Sequence, residues 1–402
     1  MPYSEIQGGV TAPQGFFAGS AFCGIKATNK DRPDVALILS PQPTVAAATF
    51  TTNRVKAAPV RLCISHLRHD DIRAIVANSG NANACTGLAG LENAKRMATA
   101  AGDALALKPR QVMVCSTGRI GVQLPIEQIE KTLAALPDHL RRDGSLRAAK
   151  AIMTSDSFPK ELAVELEIDG RVVRIGGIAK GAGMIDPNMA TMLCFLTTDA
   201  AIGRKHLQTA LSVSVDQSFN RITVDGDMST NDSVIMLANG LAGHSPLKYG
   251  TAGFKLFQRA LDCVTRNLAR MIVEDGEGVT KFVEVHVNGA ASLNDARRAA
   301  EAIANSKLVK CAWFGGDPNW GRIMDALGYS GARMREELVD IFYDGVNAVK
   351  GGVASRTPFS KLQEIAAEKK FTIMIDLHMG KAEYTVFTTD LSVDYVKLNM
   401  GE

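Results

Sequence analysis

Three observations predict a layered α+β fold for this 402-residue chain. Strand-like alternation recurs along its length, amphipathic helical stretches fall between the strands, and two strand pairs read as hairpins, which argues against a doubly wound parallel sheet. In chain order, the helical stretches are Glu92 to Leu105, Ile126 to Leu136, His206 to Asp216, Phe254 to Val273 and Ala296 to Asn305. Leu256, Ala260, Val264 and Leu268, spaced by four, are expected to face the core together. The first hairpin joins Leu162–Glu167 to Arg171–Ile175 through Asp169-Gly170, both of which tolerate positive φ. The second joins Thr372–Leu377 to Tyr384–Phe387 around Gly380.

Bulk composition excludes several classes. A formal charge of +3 with 22% charged residues gives no basic stripe, so no nucleic-acid partner is expected. No apolar run reaches spanning length and the N-terminus lacks a leader pattern, so the expectation is a soluble, cytoplasmic protein without a membrane partner. Seven scattered cysteines without a CxxC pair fit a reducing compartment, and most are read as small core residues. The seven histidines form no HExxH and no ligand-spaced set with cysteine, so no metal is expected. Neither GxxxxGK[ST] nor GxGxxG occurs, so no bound cofactor is expected.

Without a well-placed histidine, a hydroxyl nucleophile needs another base. Residues 180 to 196, KGAGMIDPNMATMLCFL, offer one, because Thr191 stands where a glycine-bearing segment turns into an apolar run. A threonine there can attack the carbonyl of Ala190, and the freed α-amine, of ordinary pKa about 7.7 to 8.0, can serve as its base. The residues by themselves also fit a plain loop entering a buried strand. Cys115-Ser116-Thr117-Gly118 reads as a small-residue turn after Val112-Met113-Val114, able to stabilise an oxyanion or simply to turn the chain. Lys180 and Glu277 offer a cation and a carboxylate for a zwitterionic amino acid, although either also reads as an ordinary solvated side chain. Ser79 to Asn83, Asp225 to Asp232 and Gly315 to Arg322 are dense in Gly, Asn and Asp and are expected to be shaped loops. The acidic run at Asp225 lacks the glutamate that closes a calcium loop.

KGAGMIDPNMATML, with NSGNANACTG, CSTGRIG, DGDMSTNDS, EDGEGVTK and GGDPNWGRI, resembles the glutamate N-acetyltransferase family of arginine biosynthesis, also called ornithine acetyltransferase. The likeness runs in the family's order from Phe50-Thr51-Thr52-Asn53 to Tyr395-Val396-Lys397-Leu398-Asn399. It implies an αββα-type sandwich, similar to N-terminal nucleophile hydrolases but differently connected. It also implies self-cleavage between Ala190 and Thr191 into an α chain, 1–190, and a β chain, 191–402. Two of each chain would form a heterotetramer.

The resemblance further implies that Thr191 takes an acetyl group from N-acetylornithine and passes it to glutamate, with acetyl-CoA a candidate second donor. Thr117 and Gly118 would form the oxyanion hole, and Thr154, Lys180, Thr191, Glu277 and Asn399 would contact substrate. One departure is visible: the family's tail continues five residues past its asparagine to a substrate-binding threonine, whereas Glu402 lies three after Asn399. Two competing readings stand beside the transferase: a threonine amidohydrolase or aminopeptidase that uses water as acceptor, and an uncleaved ligand-binding protein.

Overall fold

The structure, a computed structural model, describes residues 2–26, 32–186 and 192–400. Ala190 and Thr191, the expected scission point, lie outside the described residues. The chain divides into two compact units. The first takes the described residues within Met1–Gly181, Asn188–Asn220 and Met228–Ile272, and the second those within Ala182–Pro187, Arg221–Asp227 and Val273–Glu402.

In chain order the first unit contains β1 (Tyr3–Ile6), β2 (Phe17–Ala21), β3 (Val35–Leu39), β4 (Val45–Phe50), α1 (Ala58–His66), β5 (Ala74–Asn81), α2 (Gly87–Leu105), β6 (Val112–Arg119), α3 (Ile126–Ala135) and α4 (Ser145–Ile152). It continues with β7 (Lys160–Ile168), β8 (Arg171–Lys180), β9 (Leu193–Thr198), α5 (Arg204–Asp216), β10 (Ser233–Ala238) and α6 (Ala252–Glu274), the last as far as Ile272. Two mixed sheets result, one of order β1-β7-β8-β9-β10-β4 and one of order β2-β3-β5-β6.

Strand alternation decides what each face of the smaller sheet meets. Val35 and Leu37, Ala74 and Val76, and Val112 and Val114 pack under Leu62 of α1, Met97 of α2 and Leu133 of α3. Their alternates Ala36, Ile38, Ile75, Ala77, Met113 and Cys115 point the other way, into a core shared with Ile178, Leu193, Phe195, Ile235 and Leu237 of the larger sheet and with Ile152 of α4. On the far side of the larger sheet, Leu196 lies with Val264 and Leu268 of α6 around Gly177, and Gln208 of α5 bonds the Ala48 backbone of β4. The layers therefore run helices, sheet, sheet, helices, as the sequence resemblance implied.

The second unit adds β11 (Phe282–Ala290), α7 (Leu293–Asn305), α8 (Lys307–Phe314), α9 (Trp320–Tyr329), β12 (Asp340–Tyr343), β13 (Val346–Lys350), β14 (Val353–Ala354), α10 (Phe359–Ala367), β15 (Lys370–Asp376), β16 (Ala382–Thr389) and α11 (Val393–Leu398). Its sheet has the order β14-β13-β12-β15-β11-β16. Val283, Val285 and Val287 of β11, with Ile373 and Ile375 of β15, bury against Ala299 and Ile303 of α7, Trp313 of α8 and Ile323 of α9.

All five expected helices form. In α6, however, the buried stripe is Phe257, Ala260, Leu261, Val264 and Leu268, while Leu256 is only half-buried. A strict spacing of four drifts about 40° per step on a 3.6-residue helix, so the true stripe alternates threes and fours. The Asp169-Gly170 hairpin is present, with φ of 52° and 69° at the turn. The Gly380 hairpin is not: β15 and β16 both pair with β11, which lies between them. Local turn residues cannot report a strand contributed from ninety residues upstream.

Three loop expectations also change. Ser79 to Asn81 belong to β5, Ser116 to Gly118 belong to β6, and Trp320 already begins α9, with the Asn319 side chain accepting from the Arg322 amide. Of the seven cysteines, three are buried, two half-buried and two exposed, so fewer than expected are core residues. Among the described residues no helix is long and apolar enough to cross a membrane.

Candidate active site

The β5–β6 pair places Thr117 and Gly118. The parallel register sets Ser79 beside Thr117 and Gly80 beside Gly118, and shifts at Asn81. Gly118 has φ of 131° and Gly80 of 102°, a region costly for any side chain. A Cβ at Gly118 would run into the Gly80 carbonyl carbon and the Asn81 nitrogen, so glycine is what lets the two backbones meet here. β6 is an edge strand of its sheet, and Thr117 is buried. What reads locally as a turn is therefore a kinked strand end whose second side carries no strand pairing among the described residues.

That side is fastened by residues of the DGDMSTNDS segment, to which the motif reading assigned no site role. Asn231, itself buried, donates from Nδ2 to Ala82 O at 2.6 Å and to Ser116 O at 2.8 Å. The next residue, Asp232, accepts the Met192 amide on Oδ1 at 2.9 Å. Met192 follows Thr191 in sequence, so consecutive side chains hold the strand of Thr117 and the residue bonded to Thr191. Burial pushes the Asp232 carboxyl well above the usual carboxylate range, against the pull of the Met192 amide, Thr51 and the Lys180 charge. The signal in the sequence was DGDMSTNDS, a run too polar for a buried segment unless its groups are bonded internally.

Lys180 ends β8, with Leu193 as its partner in β9. It is not a solvated loop lysine: its side chain is 3% exposed and donates to Thr154 Oγ1 at 2.7 Å. Asp156 accepts the Thr154 amide at 2.9 Å on Oδ2, and on Oδ1 the Gly181 amide at 2.7 Å and Lys160 Nζ at 2.8 Å. Burial alone would raise the Asp156 carboxyl, but the charges of Lys180 and Lys160 and these bonds outweigh it and hold it well below the usual range. Thr154 and Lys180 thus present a hydroxyl and an ammonium from one rigid group.

Glu277 and Asn399 form a group of their own in the second unit. Asn399 Nδ2 donates to Glu277 Oε2 at 3.0 Å, and the Glu277 amide donates to Ala182 O at 2.9 Å. Gly183 lies against the carboxylate, where a Cβ would stand 2.5 Å from Oε2. Upstream of the expected scission point, Asp225 accepts the amides of Met184 and Ile185 at 2.6 and 2.8 Å. Asp186 faces Asn305 at 3.2 Å. Burial raises the Asp186 carboxyl to about 6, Glu301, Asp225 and Asp227 add to the rise, and Asn305 opposes it.

Two outcomes are expected from this geometry. Asn231→Ala leaves two buried carbonyls without their donor and should lower unfolding free energy by about 1 to 3 kcal/mol, read from the urea midpoint. An unchanged midpoint would contradict the bridging role. Asp186 binds its proton more tightly folded than unfolded, so between about pH 4 and pH 6 the native state holds more protons and its stability falls as pH rises. Asp186→Asn should remove that slope, gaining on the parent protein at pH 7 relative to pH 4 in parallel thermal melts.

A model of the ArgJ family matches residues 17–401. The arginine biosynthesis bifunctional protein ArgJ of Symbiobacterium thermophilum is 48% identical over 394 residues, covering 98% of each chain. The glutamate N-acetyltransferase of Methanocaldococcus jannaschii is 47% identical over 406 residues, again covering 98% of each. The crystal structure of the arginine biosynthesis bifunctional protein from Bacillus halodurans is 40% identical, with a TM-score of 0.50, and spans 52% of this chain and 98% of its own. With the family's motifs matched in order and placed on this layered fold, the chain belongs to the ArgJ family.

Proposed function

We propose that the chain cleaves itself between Ala190 and Thr191 and then transfers an acetyl group from N2-acetylornithine to glutamate within arginine biosynthesis. The bracket formed by Asn231 and Asp232 carries this reading, because it ties the strand of Thr117 to the amide that follows Thr191. Relatives of nearly the same length named as glutamate N-acetyltransferase and as bifunctional arginine-biosynthesis protein support it. Support for scission comes from the Bacillus chain, which is almost wholly covered yet matches only about half of this one, the share expected of a cleaved half.

In this mechanism the Thr191 amine takes the hydroxyl proton and the oxygen attacks the acetyl carbonyl. Thr117 and Gly118 hold the developing oxyanion, and loss of one such donor should cost roughly 10²- to 10³-fold in turnover. Ornithine leaves, an acetyl-Thr191 ester remains, and the glutamate amine completes the transfer by the reverse proton path. Transfer outruns hydrolysis when bound glutamate is better placed than water. Thr154 and Lys180 take the substrate carboxylate, and Glu277 with Asn399 takes an ammonium group. Acetyl-CoA serves as a second donor, as the word bifunctional in the relatives' names suggests, and no bound cofactor takes part. The working form is a cytoplasmic heterotetramer of two α chains, 1–190, and two β chains, 191–402.

Thr191→Ala should abolish both cleavage and transfer: intact mass should show two chains from the parent protein and one from the variant. Two fragments from Thr191→Ala would overturn the assignment. Ornithine release that needs glutamate separates the transferase from an amidohydrolase, and acetylation of glutamate by acetyl-CoA tests the second donor.

A further inference from the structure

The helix that carries the chain to Asn399 has little of its own to hold it in place. α11 has six residues, none of them buried, and a helix this short is marginal without outside contacts. Its bonds to the rest of the second unit are therefore what seats it. At its start, Ser392 Oγ accepts the Tyr395 amide at 3.1 Å and donates to Gly278 O at 2.5 Å. Gly278, with φ of 63°, makes room for that end, since a Cβ there would stand 2.4 Å from the Tyr395 nitrogen. At the far end, Asn399 Nδ2 donates to Glu277 Oε2 and to Tyr395 O, each at 3.0 Å. Between the two ends, the Tyr395 hydroxyl donates to Asp225 Oδ2 at 3.3 Å.

Asp225 is a fixed anchor for that hydroxyl. The same oxygen accepts the Met184 amide, and Oδ1 accepts the amides of Ile185 and Asp227 at 2.8 and 3.2 Å. Burial, then the charge and hydrogen bond of Asp225, then the charges of Asp227 and Glu277 push the Tyr395 phenol above its ordinary range, so it stays a donor. Asn399 follows Ser392 by about 10 Å of helix axis at about 1.5 Å per residue, so a swing of about 10° around the Ser392 end would carry it about 2 Å. That is enough to break its bond to Glu277. We infer that Tyr395 is a positioning residue: its hydroxyl, held by Asp225, stops this swing and keeps the Asn399 carboxamide against Glu277, where the ammonium group of the amino-acid substrate is received. The inference rests on the reading that Glu277 and Asn399 take that ammonium group.

The test is a double-mutant cycle between Tyr395→Phe, which removes only the hydroxyl, and Asn399→Ala. In Tyr395→Phe, KM for N-acetylornithine should rise about tenfold while kcat falls less than about threefold. In the Asn399→Ala background the same substitution should add less than about twofold, because Tyr395 acts through Asn399. An unchanged KM in Tyr395→Phe, or two effects that simply multiply, overturns the proposal. Hydrogen exchange supplies a readout that needs no catalysis. The Asn399 amide bonds Tyr395 O at 3.2 Å, and its exchange should quicken at least about fivefold in Tyr395→Phe. Unchanged protection there also overturns the proposal. An Asn399→Ala enzyme with the parent's KM, beside faster exchange in Tyr395→Phe, would instead sink the reading of Glu277 and Asn399 and leave the seating role of Tyr395 standing.

Discussion

Three segments of the first unit end within reach of two consecutive side chains, and the arrangement depends on how their polar backbone groups are satisfied. Asn231 gives both amide hydrogens to carbonyls of Ala82 and Ser116, and Asp232 receives the amide of Met192. The Ser233 amide then bonds Met192 O and starts β10 beside β9. Buried main-chain groups must find partners or cost about 1 to 3 kcal/mol each. Two short side chains, one carboxamide and one carboxyl, therefore satisfy backbone groups that a further strand would otherwise have to pair.

Scission between Ala190 and Thr191 would not dismantle this frame. β8 lies before the bond and β9 after it, and the two pair antiparallel from Ile175 with Thr198 to Lys180 with Leu193. Phe195 and Ile178 share one core with residues from β3, β5 and β6. A cut chain held by a ladder and a common core keeps its new terminus where folding put it, which is what an N-terminal nucleophile requires.

Electrostatics supplies the second constraint. Asp156 stays ionised although fully buried because two ammonium groups and two backbone amides surround it. Asp232 is pushed the opposite way by the same burial, which outweighs the Met192 amide, the Thr51 and Ser229 hydroxyls and the single positive charge of Lys180. Two aspartates in one unit thus hold opposite protonation preferences for one physical reason, the number of positive partners within contact.

Sequence by itself determined the layered α+β class, the five helices, the Asp169-Gly170 turn and, through ordered motifs, the family. These follow from residue periodicity, local turn chemistry and linear pattern, which need no partner from elsewhere in the chain. Tertiary structure alone decided that Thr117 and Gly118 end a strand, because only pairing with β5 distinguishes a kinked strand from a turn. It placed β11 between β15 and β16, and it turned Lys180 from an ordinary loop lysine into a buried member of a charged group. Asn231, Asp232 and Lys160 were beyond the reach of spacing arguments, since their partners lie in distant strands or depend on which side of a sheet closes over them.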